Sequence, residues 1–341
     1  MTIDVNIPGN EYKIILERGC LSAAGSYLNL DRRVLIVTDS GVPAEYADRL
    51  ISLSREAVKV VIPEGEESKN LTNWEMLLSE MLSHSFSRKD CVVAVGGGVC
   101  GDLAGFAAAS YMRGIDFYNI PTTVLSQVDS SIGGKTAVDF QGVKNIIGAF
   151  YQPKCVLIDP ELLKTLPARQ LSNGLAEALK MALNFNRELF RIFEEEDISE
   201  NIDRIIAEAI KIKRDVVEQD EKESGLRRVL NFGHTLGHGI EVAADGSLYH
   251  GECVAVGMVP MCSAEVRNRL LPVLKKLSLP SSADFDPDIA FRALTHDKKA
   301  SGNTVKAILC EEIGSFKVVD MSTEELKERL LSVCENVSEE V

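Results

Sequence analysis

The sequence predicts an α/β fold in two parts, a parallel-sheet N-terminal domain followed by a mainly α-helical C-terminal domain. Short apolar runs alternate with helical patterns as far as about residue 160, and beyond that point helical periodicity dominates. The length of 341 residues also suits two domains better than one hydrophobic core. We therefore expect an α/β domain over residues 1–160 and a mainly helical domain over residues 161–341.

Five apolar runs are the predicted strands of the first domain: residues 32–39, 58–65, 91–98, 116–123 and 155–160. Helical patterns lie between them at residues 73–85 and 99–112. Continuous apolar strands that alternate with helices are typical of a mostly parallel sheet covered on both faces. In the second domain, helical periodicity covers residues 174–183, 200–221, 234–244 and 250–271, and a hairpin over 305–319 precedes a charged helix over 322–337.

Composition excludes several classes of partner. The net charge of -14 argues against nonspecific binding to nucleic acid or to an anionic membrane surface. No apolar stretch approaches the ~18 residues of a membrane span, and the first residues do not read as a secretory signal. The eight cysteines include no CxxC pair, and several lie in apolar runs, which fits a reducing compartment. We expect a cytoplasmic protein that binds neither nucleic acid nor membranes.

The segment "VVAVGGGVCGD" runs from a predicted strand through three glycines into a predicted helix. Backbone N–H groups at a helix N-terminus carry partial positive charge, and glycine lets a phosphate approach them closely. The loop is not a GxGxxG sequence, and no acidic residue at the usual downstream spacing clearly answers it. The segment indicates nucleotide binding, with a tight strand-to-helix turn as the structural alternative.

Three of the five histidines fall within residues 234–250. His234 and His238 are four residues apart and share a helix face, and His250 begins the next helical pattern. Glu177 supplies a carboxylate on an otherwise apolar helix face, and a catalytic zinc site needs three such ligands. A metal site, a proton shuttle and hydrogen-bonded interior histidines all remain open, because spacing alone does not say which histidines are ligands.

Basic side chains also occur in apolar or glycine-rich segments of this acidic protein. Each one alone reads as a surface charge or a structural ion pair, but together they suit a small polyanionic substrate. They are Arg113, Lys135, Lys144, Lys213, Arg227, Lys298 and Lys299. A nucleotide loop, a metal site and a basic pocket together describe an enzyme.

Several long blocks, in consistent order from about residue 35 to 320, make the chain resemble the 3-dehydroquinate synthase family. They are "GGGVCGDLAGFAAASYMRGIDFYNIPTTVLSQVDSSIGGKTAV", "KNIIGAFYQPKCVLIDPELLKTLP", "GLAEALK", "ESGLRRVLNFGHTLGHGIE" and "HGECVAVGM". The resemblance implies a Rossmann-like NAD-binding domain, a helical domain that binds metal and substrate, and a homodimer. It also implies conversion of the anionic sugar phosphate 3-deoxy-D-arabino-heptulosonate 7-phosphate to 3-dehydroquinate and phosphate, a step of the shikimate pathway.

The resemblance further implies the site residues. The ligands of one divalent metal, zinc or cobalt, would be Glu177, His234 and His250. The NAD positions would be Asp39, Glu64, Gly65, Glu66, Glu67, Ser68, Lys69, Gly97, Gly98, Val99, Cys100, Gly101, Asp102, Thr122, Thr123, Asp129, Lys135, Lys144, Leu162, Leu163, Lys164 and Thr165. The substrate and catalytic positions would be Asp129, Lys135, Asn145, Lys180, Lys213, Arg227, Asn231, His238, Arg113 and Lys299, with Arg113 reaching across the dimer.

Two departures from the family pattern are visible. Ala168 and Gln170 stand where the family usually has glutamates, which puts a nicotinamide-side contact in doubt. Cys100 replaces a common aliphatic residue, and we expect the turn to tolerate it. The remaining alternatives are another sugar-phosphate cyclase, such as one acting on sedoheptulose 7-phosphate, a metal-dependent polyol dehydrogenase, and a non-enzymatic NAD-binding module.

Overall fold

The chain divides into two units, of which the first combines Met1–Pro167 with Lys213–Lys222 and the second contains Ala168–Ile212 and the residues from Glu223 onward. The structure is a computed structural model and describes residues 1–296 and 304–335. Lys298 and Lys299, and the end of the helix expected over 322–337, lie outside the described residues. Among the described helices, none combines the length and the apolar character that crossing a bilayer requires.

A seven-stranded sheet is the centre of the first unit. Its strands are β1 (Thr2–Val5), β2 (Tyr12–Leu16), β3 (Arg33–Asp39), β4 (Glu56–Ile62), β5 (Cys91–Gly96), β6 (Asp116–Pro121) and, after a hairpin described below, β9 (Cys155–Ile158). Their order is β1-β2-β9-β6-β5-β3-β4, and every neighbouring pair is parallel except β1 with β2. The predicted parallel sheet is thereby confirmed.

Both faces of this sheet are covered, as the continuous apolar strands predict. On one face Ile36 and Val93 pack with helix α1 (Ala44–Leu53). On the other face Leu35 and Val92 pack with α2 (Leu71–Ser83) and α3 (Gly98–Ser110). Neighbouring residues of one strand point to opposite faces, so each apolar run supplies both cores.

Two parts of the first unit were not predicted from the sequence. One is the N-terminal pair β1 and β2, which adds an antiparallel edge strand to the sheet. The other is a separate hairpin of β7 (Lys135–Phe140) and β8 (Val143–Phe150). On β8 most side chains are exposed, so the hairpin lacks the buried apolar run that marks the other strands.

The second unit is mainly helical, as expected. Its helices are α4 (Ala168–Phe185), α5 (Arg187–Glu195), most of α6 (Ile198–Gln219), α7 (His234–Ala244), α8 (His250–Met258), α9 (Ala264–Lys276), α10 (Pro287–His296) and α11 (Thr323–Leu331). β10 (Thr304–Leu309) and β11 (Lys317–Ser322) form the predicted antiparallel hairpin. The continuous helical pattern over 250–271 is wrong, because a short turn at Val259–Met261 separates α8 from α9. Pro260 lies in that turn, and proline lacks the N–H that a continuing helix requires.

The last turns of α6 and the residues after it belong to the first unit. Asn6 donates its backbone N–H to Glu218 Oε1 at 2.6 Å, and Gln152 Nε2 donates to Glu221 Oε1 at 3.0 Å. Lys213 donates to Asp129 at 2.7 Å. These contacts show why ten late residues group with a unit that otherwise ends at Pro167.

Candidate active site

The glycine loop of the first unit joins β5 to α3 with very little free space around it. A Cβ at Gly96 would lie 2.5 Å from Cys100 Sγ, and a Cβ at Gly97 would lie 3.3 Å from Thr123 Cγ2. Among the described residues no side chain caps the first turn of α3, so the N–H groups of that turn are left for another acceptor. Unsatisfied N–H groups at a helix N-terminus favour an anion such as a phosphate.

Asp39 ends β3 and has a hydrogen bond to each carboxylate oxygen. The N–H of Gly41 donates to Oδ1 at 2.9 Å, and the thiol of Cys100 donates to Oδ2 at 3.2 Å. Burial and the neighbouring Asp39 raise the pKa of the Cys100 thiol well above its usual range, so it remains a donor. Cys100, a departure from the family pattern, therefore makes a polar contact that an aliphatic residue cannot make.

Lys69 is buried beside three carboxylates. Its Nζ lies 2.5 Å from Glu66 Oε1, 3.5 Å from Asp102 Oδ2 and 3.9 Å from Asp139 Oδ1. Burial lowers the pKa of Lys69, but Asp102, Glu66 and Asp139 outweigh it and raise the pKa. Burial raises the pKa of Asp102 to about 7, even though Lys69 opposes the change. The cluster therefore brings Glu66 and Lys69, from the loop between β4 and α2, next to Asp102 of α3. All three are predicted nucleotide-binding residues.

The other predicted residues of the first unit are distributed over several loops. Thr123 Oγ1 accepts the N–H of Ser126 at 3.1 Å, at the start of the π-helical turn Ser126–Ser130 that contains Asp129. Thr165 shares a hydrogen bond with Tyr46 at 2.9 Å, and Gly65 has a φ of 110° in the turn after β4. The remaining members are placed as follows: Glu64, Glu67 and Ser68 near Gly65, Thr122 beside Thr123, Leu162 and Leu163 buried, and Lys164 exposed.

Several predicted basic or polar residues of this unit lie on its surface. Lys135, Lys144 and Asn145 belong to the β7–β8 hairpin, and Asn145, whose N–H donates to Asp139 Oδ1 at 2.8 Å, has a φ of 57°. Arg113 is exposed in the turn after α3 with a φ of 67°. In contrast, the Lys213 side chain is only 7% exposed where it donates to Asp129. The structure therefore brings Lys213 and Asp129 together and places Arg113 on an exposed turn.

In the second unit, three side chains from three helices direct atoms that can bind a metal ion toward one another. Glu177 of α4 is fully buried, and its Oε1 lies 3.4 Å from His234 Nε2 of α7. The same oxygen lies 3.6 Å from His250 Nε2 at the start of α8. Glycines let α7 and α8 approach this closely, because a Cβ at Gly257 would lie 2.2 Å from the carbonyl oxygen of Gly233.

The outer nitrogen of each imidazole ring is held by an acceptor. His234 Nδ1 lies 3.1 Å from the carbonyl oxygen of Phe232, and His250 Nδ1 lies 3.0 Å from Glu241 Oε2. Both partners can only accept, so Nδ1 carries a proton in each ring and Nε2, which faces Glu177, is the atom left for a metal ion. Glu241 was not singled out from the sequence, although it follows His238 by three residues on the same helix face.

These three electron-rich atoms fit a cation between them. Among the described residues, neither buried oxygen of Glu177 receives a hydrogen bond of good geometry, although Lys180 Nζ forms an ion pair with Oε2. Burial raises the pKa of Glu177, but Lys180 and the histidines lower it well below its usual range. Burial lowers the pKa of His250, yet the neighbouring Glu177 and Glu241 carboxylates raise it to about 9, so a bound metal ion would displace a proton from Nε2. One carboxylate and two imidazoles are a donor set of catalytic zinc.

The remaining predicted residues of the second unit surround this triad or lie in the preceding turn. Lys180 is 2% exposed, one helical turn after Glu177. The ring of His238 is centred 5.2 Å from that of His234, and a second possible cation group consists of His238, Glu241 and His250. Arg227 is buried in the turn Leu226–Asn231.

Asn231 ends that turn and reveals another residue that the sequence reading overlooked. Asn231 Nδ2 donates to Glu223 Oε1 at 3.0 Å. Glu223 has a φ of 59°, which is uncommon for a residue other than glycine, asparagine or aspartate. No spacing or composition in the sequence marks this carboxylate, which only the folded turn brings to Asn231.

Comparison with known proteins identifies relatives over nearly the whole chain. The model of the 3-dehydroquinate synthase N-terminal region matches residues 59–173, and that of the C-terminal region matches residues 174–300. The 3-dehydroquinate synthase of Streptococcus pneumoniae (strain ATCC 700669 / Spain 23F-1) is 42% identical, and the alignment covers 97% of this chain and 100% of that protein.

Solved structures of two related enzymes share the fold. A 2-deoxy-scyllo-inosose synthase complexed with carbaglucose-6-phosphate, NAD+ and Co2+ has a TM-score of 0.88 at 25% identity, covering 98% of this chain and 100% of that one. The 2-epi-5-epi-valiolone synthase from Streptomyces hygroscopicus subsp. jinggangensis 5008, with NAD+ and Zn2+ bound, has a TM-score of 0.85 at 30% identity, covering 94% and 96%. The two family models and the near-complete alignment confirm the resemblance, and the chain belongs to the 3-dehydroquinate synthase family.

Proposed function

We propose that the protein converts 3-deoxy-D-arabino-heptulosonate 7-phosphate to 3-dehydroquinate and phosphate, using NAD and one divalent metal ion. The relatives that carry the name 3-dehydroquinate synthase at 42% identity support the reaction. The observation that carries the proposal is the convergence of Glu177 Oε1 with the Nε2 atoms of His234 and His250. Lys180 pairs with Oε2 of this buried carboxylate, and Oε1, which faces two imidazole nitrogens, is placed to bind a metal cation.

Glu177, His234 and His250 would hold the metal, and the loop from Gly97 to Asp102 would hold the diphosphate of NAD. When bound, the metal supplies Lewis-acid polarisation of substrate oxygens and NAD supplies a reversible hydride acceptor. The chosen triad leaves His238 for the substrate. We prefer it to the group of His238, Glu241 and His250 because, within the part of the chain that the structure describes, no hydrogen bond reaches the buried Glu177 oxygens, whereas Glu241 accepts from His250.

The cationic side chains of the chain would bind the anionic groups of the substrate. Lys180 and Arg227 are buried cations of the second unit, and Lys213 is a buried cation of the first. Guanidinium and ammonium groups bind carboxylate and phosphate by charge-assisted hydrogen bonds. Burial and the neighbouring His250 lower the pKa of His238, so its ring is neutral at pH 7 and can accept a proton from a substrate hydroxyl.

We also propose that the protein is a cytoplasmic homodimer that uses zinc or cobalt. Support for a second copy comes from the β7–β8 hairpin, where four apolar side chains are 41–60% exposed: Phe140, Val143, Ile146 and Phe150. A group of exposed apolar side chains on one hairpin favours a protein contact. Arg113 is also exposed. It precedes Gly114, which lies against Tyr151, the residue that follows β8. All eight cysteines are free thiols, which suits a reducing compartment. Sedimentation analysis of the parent and of Ile146→Glu tests the dimer.

The reaction is tested with purified protein, the heptulosonate phosphate, catalytic NAD and zinc or cobalt. Phosphate and dehydroquinate are measured together with NADH. We expect equal amounts of both products without net NADH, and loss of turnover with a chelator or in Glu177→Ala and His250→Ala. Glu188→Ala, at an exposed residue of α5, is the matched control. Turnover of sedoheptulose 7-phosphate alone would indicate a sister cyclase, and net NADH from a polyol would indicate a dehydrogenase.

A further inference from the structure

Arg169 at the start of α4 forms a two-pronged ion pair with Glu252 in the first turn of α8. Its Nε donates to Glu252 Oε1 at 2.7 Å, and its Nη2 donates to Glu252 Oε2 at 2.7 Å. The guanidinium also lies 4.3 Å from the centre of the Tyr249 ring. Bidentate pairing with stacking fixes both the distance and the orientation of the two partners, which a lysine in place of Arg169 would not do.

The same end of α8 is tied to α4 at a second point. Asn173 Oδ1 accepts the N–H of Gly251 at 2.6 Å, and a Cβ at Gly251 would lie 2.0 Å from the carbonyl oxygen of Asn173. Glu252 Oε2 also accepts the N–H of Tyr249 at 2.8 Å, which caps the helix. His250 lies between Tyr249 and Gly251, and on α4 Glu177 follows Asn173 by about one turn and Arg169 by about two.

We propose that Arg169 is a positioning residue that holds His250 Nε2 opposite Glu177 and thereby sets the affinity of this site for its divalent metal. Arg169 contacts no member of the triad directly in any hydrogen bond or ion pair described here, so it acts through Glu252 and the helix end. Groups that orient metal ligands typically change affinity 10- to 100-fold when they are removed. The inference rests on the proposed triad of Glu177, His234 and His250.

The sign of the expected effect separates positioning from simple electrostatics. Replacing Arg169 by alanine removes a positive charge and leaves the Glu252 carboxylate without its partner. The loss of this positive charge makes the surroundings more negative and would by itself strengthen the binding of a cation. A positioning role predicts the opposite, which is weaker binding. The measurement is the dissociation constant of Co2+ or Zn2+ by competition with a chromophoric chelator, without NAD or substrate.

We expect Arg169→Ala to weaken metal binding by about 10-fold or more. The dissociation constant of Arg169→Lys should lie between those of Arg169→Ala and the parent. Arg269→Ala is the matched control, because Arg269 forms an equally bidentate pair with Glu194 at 2.8 and 2.6 Å and lies over the ring of Phe190. Circular dichroism verifies that each variant is folded.

His250→Ala separates failure of this inference from failure of the proposed metal site. If His250→Ala binds metal as the parent does, the triad itself is wrong. If His250→Ala loses metal while Arg169→Ala keeps the parental affinity or gains affinity, the triad stands and the positioning role of Arg169 is overturned. Equal losses in Arg169→Ala and Arg269→Ala would also overturn it, because they would reflect general destabilisation.

Discussion

Glu241 Oε2 accepts a hydrogen bond from His250 Nδ1 at 3.0 Å, so the ring that faces Glu177 with one nitrogen is anchored by a second carboxylate with the other. Replacing Glu241 by alanine removes this acceptor and frees both the tautomer and the orientation of the ring. We expect metal affinity to fall by about 10-fold or more, measured by chelator competition. Glu188→Ala should retain the parental affinity. An unchanged affinity in Glu241→Ala would exclude an orienting role.

Gly251→Ala should disrupt the contact between α4 and α8. The new Cβ would lie 2.0 Å from the carbonyl oxygen of Asn173, so one helix must shift. Forced overpacking of this kind costs about 1–3 kcal/mol. We expect a thermal midpoint lower by several degrees, followed by circular dichroism. Gly25→Ala is the control, because a Cβ there meets nothing within 4 Å. Equal midpoints for the two variants would contradict the packing argument.

Lys213 and Asp129 should be energetically coupled, because Lys213 is nearly buried and donates to Asp129 at 2.7 Å. Removing one partner leaves a poorly solvated charge, so Lys213→Met and Asp129→Asn should each destabilise the first unit by about 1–2 kcal/mol. The double variant should lose less free energy of unfolding than the two single variants lose together. Trp74, the single tryptophan, lies in this unit and reports its urea unfolding by fluorescence. Additive losses would argue against coupling.

Asp102 should make the stability of the first unit fall as pH rises. Burial raises its folded-state pKa from 3.8 to about 7, so the folded protein binds this proton more tightly than the unfolded chain. The stabilising contribution is present below about pH 4 and is lost as pH rises through about 7. Relative to that of Asp102→Asn, the free energy of unfolding of the parent should fall by on the order of 2 kcal/mol between pH 5 and pH 8.

Urea unfolding monitored by Trp74 fluorescence measures this difference at each pH. Asp48→Asn is the control, because Asp48 is an exposed aspartate of α1 paired with Lys59. It should follow the pH profile of the parent. A difference between the parent and Asp102→Asn that is the same at pH 5 and pH 8 would show that the Asp102 carboxyl does not titrate in this range.

Much of the fold could be predicted because the buried strands are continuous apolar runs. Val92 and Val93 serve opposite faces of the sheet, so both positions must be apolar and the run is easily recognised. The β7–β8 hairpin has no such run, since Val143 and Ile146 are exposed beside lysine and asparagine. Its existence depends on backbone pairing, which leaves little trace in hydrophobic periodicity.

The candidate site was only partly predictable for a similar reason. Histidine is rare in this chain, so the spacing of His234, His238 and His250 drew attention to a metal site. Glutamate is common, and apart from the three-residue spacing between His238 and Glu241 nothing local distinguishes Glu241 or Glu252 from surface residues. Their partners, His250 and Arg169, are 9 and 83 positions away in sequence. Such orienting contacts become visible only when the helices are packed.

The membership of Lys213–Lys222 in the first unit has a consequence for biosynthesis. A ribosome that has released residues 1–167 has not yet made the segment that pairs with Asn6, Asp129 and Gln152. The sheet can form on the nascent chain, but these three contacts of the unit must wait for about fifty more residues, which delays completion as any long sequence separation does. A fragment of residues 1–167 would therefore lack the contacts that Lys213–Lys222 makes with the first unit.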